Sequence, residues 1–386
     1  MKVLQVTNLI SHHQLPIAQN LVSALGTQNF RFAALDLPDQ ERLRMGWNGA
    51  EKEPWILRVA ETESDKIQFE RWWDEADVVI CGERRFERMA DRLMLRKPCL
   101  YMSERWWKPP LGSLRLVWPK FRRMAMQFKR IARAPDFHYL ANGPFAAIDI
   151  SKIADLENRL WQWGYFPPLP TDQPSPSPQT QTLRILWAGR MLDWKRVDTL
   201  IKATATLQRE GIPVELTLVG DGPKRGALEQ LAASVLSPGR YCFAPPLPAH
   251  QVPLLMGMHD VYVLPSSAYE GWGAVINEAM ACGRAVVASS QAGAAAAMID
   301  HGVNGLLFQP GDWRDLSNHL GILAADRALL TSLGQAAQRT IRDTWSPRIA
   351  AERLIDFSNA LLEQREPPEY ESGPLAPANL WLNNRN

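Results

Sequence analysis

Three loops in the second half of the chain place charges and glycines directly after strand-like runs. In Trp187–Leu200, WAGRMLDWKRVDTL, Arg190 and Lys195 stand between a strand end and a helix start. Two fixed cations beside backbone N–H groups favour an anion, which makes the pair a candidate phosphate site. The competing reading is two ordinary solvated loop charges. In Leu218–Gln230, LVGDGPKRGALEQ, Gly220, Gly222 and Gly226 follow a strand, and Pro223 suits a first helical turn. The spacing G-x-G-x-x-x-G differs from the dinucleotide fingerprint, so it predicts a tight turn that bares backbone and not a nicotinamide site. Asp221 is the polar residue of that turn.

The third loop, within Val261–Ser289, carries Glu270 and then a short helix from about Gly273 that holds Glu278. Gly271 and Gly273 clear the approach to the N–H groups at that helix start, where Ala274 and Val275 lie, which suits a diphosphate. Paired acids also suggest hydrolysis. Eight helical residues would separate them by ~12 Å, which fits poorly with the roughly 5–9.5 Å opposition of glycosidase acids. The two are expected to grip two ends of one ligand, Glu270 the hydroxyls of a transferred group and Glu278 a ribose. A solvated or capping glutamate is the plainer reading of Glu278.

The elements behind these loops alternate. LRILWAG, VELTLVG, YCFAP, DVYVLP and RAVVAS read as strands separated by helical periodicity, and KVLQVT, FRFAAL, DVVICG, KPCLYM and FHYLA repeat the theme earlier in the chain. Repeated β-α units predict an α/β protein with two Rossmann-like parallel sheets, whose ligands bind beyond the carboxyl ends of the strands. The Pro-rich stretch 167–182 is the expected linker between a lobe at 1–166 and one at 183–344. A helix within 345–365 is expected to strap the lobes together, with 366–386 as a loosely attached tail.

Composition excludes several classes. With 43 basic and 41 acidic residues among 386, the chain is no general nucleic-acid binder. Four scattered cysteines without a C-x-x-C pair argue against a disulfide framework or zinc ribbon and suit the cytoplasm. The first apolar run is too short for a signal peptide, and the uncharged stretch 285–299 falls short of the ~20 apolar residues of a spanning helix. Neither a D-x-D triplet nor an H-E-x-x-H motif occurs, so no metal or other cofactor is expected. Most of the 15 tryptophans are expected in cores or interfaces, some stacking on sugars.

AGRMLDWKRVDTLI, LVGDGP, the E-x7-E element EGWGAVINE, AMACGRAVVAS and HGVNGLLFQPGD occur in order between Leu183 and Asp312. Together they resemble the retaining GT-B glycosyltransferases of glycosyltransferase family 4 (group 1). The resemblance implies two Rossmann-like domains facing a central cleft and a nucleotide diphosphate-sugar donor. It assigns Arg190 and Lys195 to the diphosphate, Glu270 to the donor sugar and Glu278 to the ribose. It implies retention of anomeric configuration, and with no metal the departing diphosphate is met by these cations and the helix start. Gly220, Asp221, Gly271, Gly273, Ala274 and Val275 complete the expected donor side.

The first lobe departs from the family pattern. Where a glycine-rich loop is usual after the first strand, this chain has NLISHHQLPIA, without glycine. Ser11, His12 and His13 hold that place on the expected acceptor or diphosphate side, with His13 the catalytic candidate; a polar loop histidine is the alternative. Where relatives carry a histidine after a later strand, YMSERWWKPP offers Ser103, Glu104 and Arg105. SERWW and WGYFPP look like features of a bacterial polysaccharide subgroup.

The segment 113–134 holds seven Lys or Arg and no acid among interleaved apolar residues. This is the pattern of an amphipathic helix on an anionic membrane, and equally of a solvated basic face over a core stripe. The combined expectation is a cytoplasmic hexosyltransferase, peripheral to the inner face of the plasma membrane, acting on a glycan or lipid-linked acceptor in bacterial surface polysaccharide synthesis. A GT-B nucleotide-sugar epimerase or hydrolase, or a non-catalytic nucleotide-sugar-binding subunit, are the alternatives.

Overall fold

The computed structural model describes residues 1–37, 53–170 and 181–383. The chain divides into two units, Met1–Pro168 with Thr344–Asn386, and Leu169–Asp343. The central stretch 171–180 of the expected linker lies outside the described residues.

The first unit starts with β1 (Val3–Thr7), buried at every position, and α1 (Leu15–Leu25), which carries Pro16 in its first turn. There follow β2 (Phe30–Ala34), β3 (Ile56–Arg58), α2 (Glu63–Glu75), β4 (Val78–Cys81), α3 (Phe86–Met94), β5 (Cys99–Ser103), α4 (Pro119–Ile131), β6 (Phe137–Asn142), α5 (Pro144–Ser151) and β7 (Leu160–Trp163). All seven strands pair in parallel in the order β3-β2-β1-β4-β5-β6-β7. Helices must therefore carry the chain back between strands, and the strands read as near-continuous apolar runs. Trp72, Trp73, Trp106 and Trp107 all lie in this unit's core, so these paired tryptophans are packing residues.

The second unit contains β8 (Leu183–Ala188), α6 (Val197–Arg209), β9 (Val214–Val219), α7 (Arg225–Val235), β10 (Tyr241–Ala244), α8 (Val252–Gly257), β11 (Val261–Leu264), α9 (Val275–Ala281), β12 (Ala285–Ser289), α10 (Gly293–Met298), β13 (Leu306–Phe308), α11 (Trp313–Ala325) and α12 (Arg327–Asp343). Its six strands are parallel, in the order β10-β9-β8-β11-β12-β13. The direction of winding reverses between β1 and β4 in the first sheet and between β8 and β11 in the second. Crevices for ligands form at such switch points, outside the carboxyl ends of the strands.

Three strands escaped the sequence reading. β3 and β13 have three residues each, too few to show a pattern, and β7, LWQW, hides a glutamine that is buried.

The last part of the chain corrects one expectation. Helix α13 (Pro347–Leu362) groups with the first unit, where Phe357 meets His138 and Trp161 edge-on at 5.3 and 5.0 Å between ring centres. The segment after Glu366 is not loose. The Leu375 N–H donates to Gln162 O and the Gln162 N–H to Ala376 O, each at 2.8 Å. These bonds cover the free edge of β7, and Leu375, Ala376 and Ala378 are fully buried before the short helix α14 (Asn379–Asn383). An unpaired edge strand invites association, and the low apolar content of the preceding EPPEYESG concealed its cover.

Candidate active site

In the second unit the loops leaving β8 and β11 bring together two of the residues singled out by type and spacing. Lys195 Nζ donates to Glu270 Oε2 at 2.6 Å, with side-chain exposures of 16% and 8%. The Ser266 hydroxyl donates to the same oxygen at 2.8 Å. The Lys195 ammonium sits 4.5 Å from the centre of the Trp194 ring, and the Trp194 carbonyl accepts the Ser267 N–H at 2.8 Å. The loops are thus tied by backbone and by charge. Shielding from water strengthens the pair, and an ammonium with three donors retains capacity for an anion after serving one carboxylate oxygen.

Glycine makes these approaches feasible. A Cβ on Gly220, whose φ is +133°, would collide with the Gly189 carbonyl oxygen, and one on Gly222, at +152°, would stand 2.7 Å from Met191 O. The β9 loop thereby packs directly on the β8 loop, with Met191 N–H donating to Asp221 O at 2.8 Å. The Asp221 carboxylate accepts the Gly222 N–H at 2.7 Å, the structural role read from sequence. Gly273, at φ +88°, leaves room for Glu270, since a Cβ there would lie 3.3 Å from Glu270 Cγ. Gly271 packs its carbonyl oxygen against Gly293 at the start of α10.

The helix begins at Val275, two residues later than expected. Glu278 lies in its first turn and is buried, as are Gly271 and Ala274, while Gly273 and Val275 are half-buried. Arg190 stands exposed in the β8 loop. Tyr262 of β11 is buried. Its hydroxyl donates to Ala188 O at 3.1 Å, and burial, then the Glu278 and Glu270 carboxylates, push its ionisation far above the ordinary value. Tyr262 and Ser266 were missed in the sequence. The available signals were a tyrosine in an otherwise aliphatic strand and a serine four residues before Glu270.

The first unit gathers its candidates differently. Ser11 is buried, and its hydroxyl donates to Gln14 Oε1 at 3.3 Å, while Gln14 Nε2 donates to Thr7 Oγ1 at 3.2 Å. The His12 and His13 rings lie with centres 3.7 Å apart and planes tilted by 46°, and the His13 ring centre is 6.2 Å from that of Tyr165. The Tyr165 hydroxyl donates to Glu104 Oε1 at 3.2 Å. Burial and this carboxylate hold that hydroxyl protonated well beyond its usual range. A small pocket beside this group is lined by Gln5, His13, Gln14, Met102 and Tyr165 among others. Ser103 accepts the Trp106 indole N–H at 3.0 Å, and Arg105 pairs with buried Asp149 at 3.7 Å, so both brace the fold. Gln14 and Tyr165 were not anticipated.

Two parallel Rossmann-like sheets wound on both faces define the GT-B class of fold. The chain is similar to HepE from Anabaena, solved in complex with UDP, at 18% identity over 92% of this chain and 98% of that one, with a TM-score of 0.68. It is likewise similar to sucrose-phosphate synthase from Thermosynechococcus elongatus, at 18% identity over 94% and 100% of the two chains and a TM-score of 0.63.

More particularly, residues 170–340, which lie almost entirely in the second unit, match the family model described as Glycosyl transferases group 1. The GDP-mannose-dependent alpha-(1-6)-phosphatidylinositol monomannoside mannosyltransferase of Mycolicibacterium smegmatis is 29% identical over 47% of this chain and 49% of its own length. The lipopolysaccharide core biosynthesis glycosyltransferase LpsE of Rhizobium meliloti is 34% identical over 44% and 46%. The chain spans about half the length of the curated relatives it matches.

Proposed function

We propose that the protein is a retaining, family 4 glycosyltransferase that moves a hexose from a nucleoside diphosphate-sugar to a glycan or lipid-linked acceptor in bacterial surface polysaccharide synthesis, on the cytoplasmic side of a membrane. The observation that supports this most is the Lys195–Glu270 pair at the switch point of the second sheet, in the domain that matches group 1 glycosyltransferases. Lys195 and exposed Arg190 neutralise the diphosphate as charge grows on it in the transition state. Glu270 keeps Oε2 on Lys195 and Ser266 and turns Oε1 to the sugar hydroxyls. Glu278 receives the ribose.

His13, with Ser11, His12 and Glu104, attends the acceptor side in the first unit. The cations do the work a divalent metal does elsewhere, so transfer proceeds without one. HepE has been solved with UDP-glucose, whereas the mycobacterial relative is GDP-mannose-dependent, so the donor has to be found by trial.

Ligand-detected NMR against UDP-, GDP-, ADP- and CMP-sugars tests the reading, followed by turnover of the best binder with and without acceptor and with a chelator. Binding of one nucleoside diphosphate-sugar and slow turnover without acceptor, insensitive to chelation, is expected. Fast hydrolysis without acceptor would replace the transferase by a hydrolase, and binding of none would overturn the site.

A further inference from the structure

The basic segment 113–134 forms a 3₁₀ turn over Gly112–Val117 and then α4. One side of the helix is accounted for: Ala125, Phe128 and Ile131 are buried, and Phe121 and Met124 pack on the core. The other side is unusual for a surface that faces only water. Lys120, Arg122, Arg123, Lys129, Arg130 and Arg133 are exposed, and Met126, 62% exposed, sits among them. In the turn that precedes the helix, Leu114, Val117 and Trp118 are exposed by 67%, 76% and 47%. Leu116 of the same turn packs on the core and anchors it. Large apolar side chains scattered singly on a surface need no explanation, but a group of them beside a basic helix that carries no acid of its own, with Glu87 of α3 meeting it at Gln127, does.

We infer that this face docks the protein on an anionic lipid surface, with Leu114, Val117, Trp118 and Met126 entering the headgroup layer and the exposed Lys and Arg of α4 pairing with lipid phosphates. Charge complementarity selects this partner. A protein patch would need its own acids set at matching points, whereas a bilayer offers phosphate wherever a flexible Lys or Arg reaches. Each basic residue near such a surface adds attraction, and indole rings favour the interfacial layer. Among the described residues no helix is long and apolar enough to cross a membrane, so the contact is one of lying on the surface. The inference extends the proposed lipid-linked acceptor by giving the first unit its means of reaching one, yet vesicle binding is measured without donor or acceptor and stands or falls separately from transfer.

The full chain is sedimented with phosphatidylcholine vesicles containing increasing phosphatidylglycerol. The bound fraction is expected to rise with the anionic lipid. The quadruple variant Arg122→Gln, Arg123→Gln, Lys129→Gln, Arg130→Gln should weaken binding at least about tenfold, as follows from neutralising several such charges. Leu114→Ser with Trp118→Ser should weaken binding even where anionic lipid is abundant. Unaltered circular dichroism and unaltered nucleotide binding by the second unit certify the variants. Wild-type protein that stays in the supernatant at every phosphatidylglycerol content, or charge-neutralised protein that binds as well as wild type, would overturn the inference. Binding to an acidic polypeptide in preference to vesicles would do so as well.

Discussion

The loops after the first strands of the two sheets build a site by opposite means. After β8 the packing is backbone on backbone: glycines at 220 and 222 let the β9 loop press against Gly189 and Met191 with no side chain between. After β1 there is no glycine, and side chains do the same job, Ser11 bonding to Gln14 and Gln14 to Thr7. The contrast extends into the sheets. β11 and β12 are lined by small and aliphatic residues apart from Tyr262 and Ser289, whereas the first sheet buries Gln5, His138, Asn142 and Gln162. Buried polar groups must each find a partner. Along their strands, the first sheet is therefore held by specific pairs, and β11 and β12 by shape.

The comparison can be broken most forcefully at Gly220. Gly220→Ala should destabilise the second unit by more than about 3 kcal/mol, since one backbone loop must move away from another at a left-handed position. Urea unfolding with a nucleotide-binding readout checks this, and a near-neutral result would show that the contact yields easily.

Glu270→Gln should lower transfer by about a hundredfold or more, an effect of the size seen when a positioning contact to the reacting sugar is lost. Its affinity for the nucleoside diphosphate should hold or improve, because Lys195 is released from an ion pair. Steady-state kinetics beside calorimetric titration separates the two. Lys195→Ala should weaken nucleoside diphosphate binding about tenfold, the worth of one charge-assisted hydrogen bond. The stranded Glu270 carboxylate adds repulsion in the same direction.

The first unit offers a test by pH. Burial, with the Arg159 cation adding, pushes the His138 imidazole from 6.5 down to about 3, and its Nδ1 accepts the Trp161 indole N–H at 3.1 Å. The folded protein needs the neutral ring. Its contribution is complete above the unfolded value of about 6.5, and is lost as pH falls towards 3, because only the unfolded chain takes the proton. The slope is at most roughly 1.4 kcal/mol per pH unit. His138→Gln should flatten the acid limb of a stability-against-pH curve relative to wild type. An unchanged limb would show that the ring is protonated in place.

Smallest is Gln14→Ala, which removes three modest hydrogen bonds and should cost about 1–2 kcal/mol. Thermal unfolding registers it, with nucleotide binding by the second unit untouched. A loss of nucleotide affinity would instead tie Gln14 to the donor.

The two units also differ in how much of them the sequence discloses. Arg190, Lys195, Glu270 and Glu278 stood out as candidates because the second unit's loops are written in glycines and charges at fixed offsets from apolar strands, and of the four the structure brings Lys195 and Glu270 into contact. β3, β7 and β13 were not legible, being too short or too polar for a period to emerge. The covering of β7 by Gly373–Ala378 was hidden in a proline-rich segment whose local composition suggests no structure.

Amino-acid order alone determined the alternation of strands and helices, and with it two parallel sheets, because apolar period and turn chemistry are local properties. It determined as well which residue types stand at strand ends. Only the tertiary structure decided that Lys195 spends one bond on Glu270, that the Tyr262 hydroxyl is held by Ala188, and that α13 and the segment after it complete the first unit. Those are pairings between residues as many as 215 positions apart, and a contact of that range depends on how the sheets stack their connections, which no local window of sequence encodes.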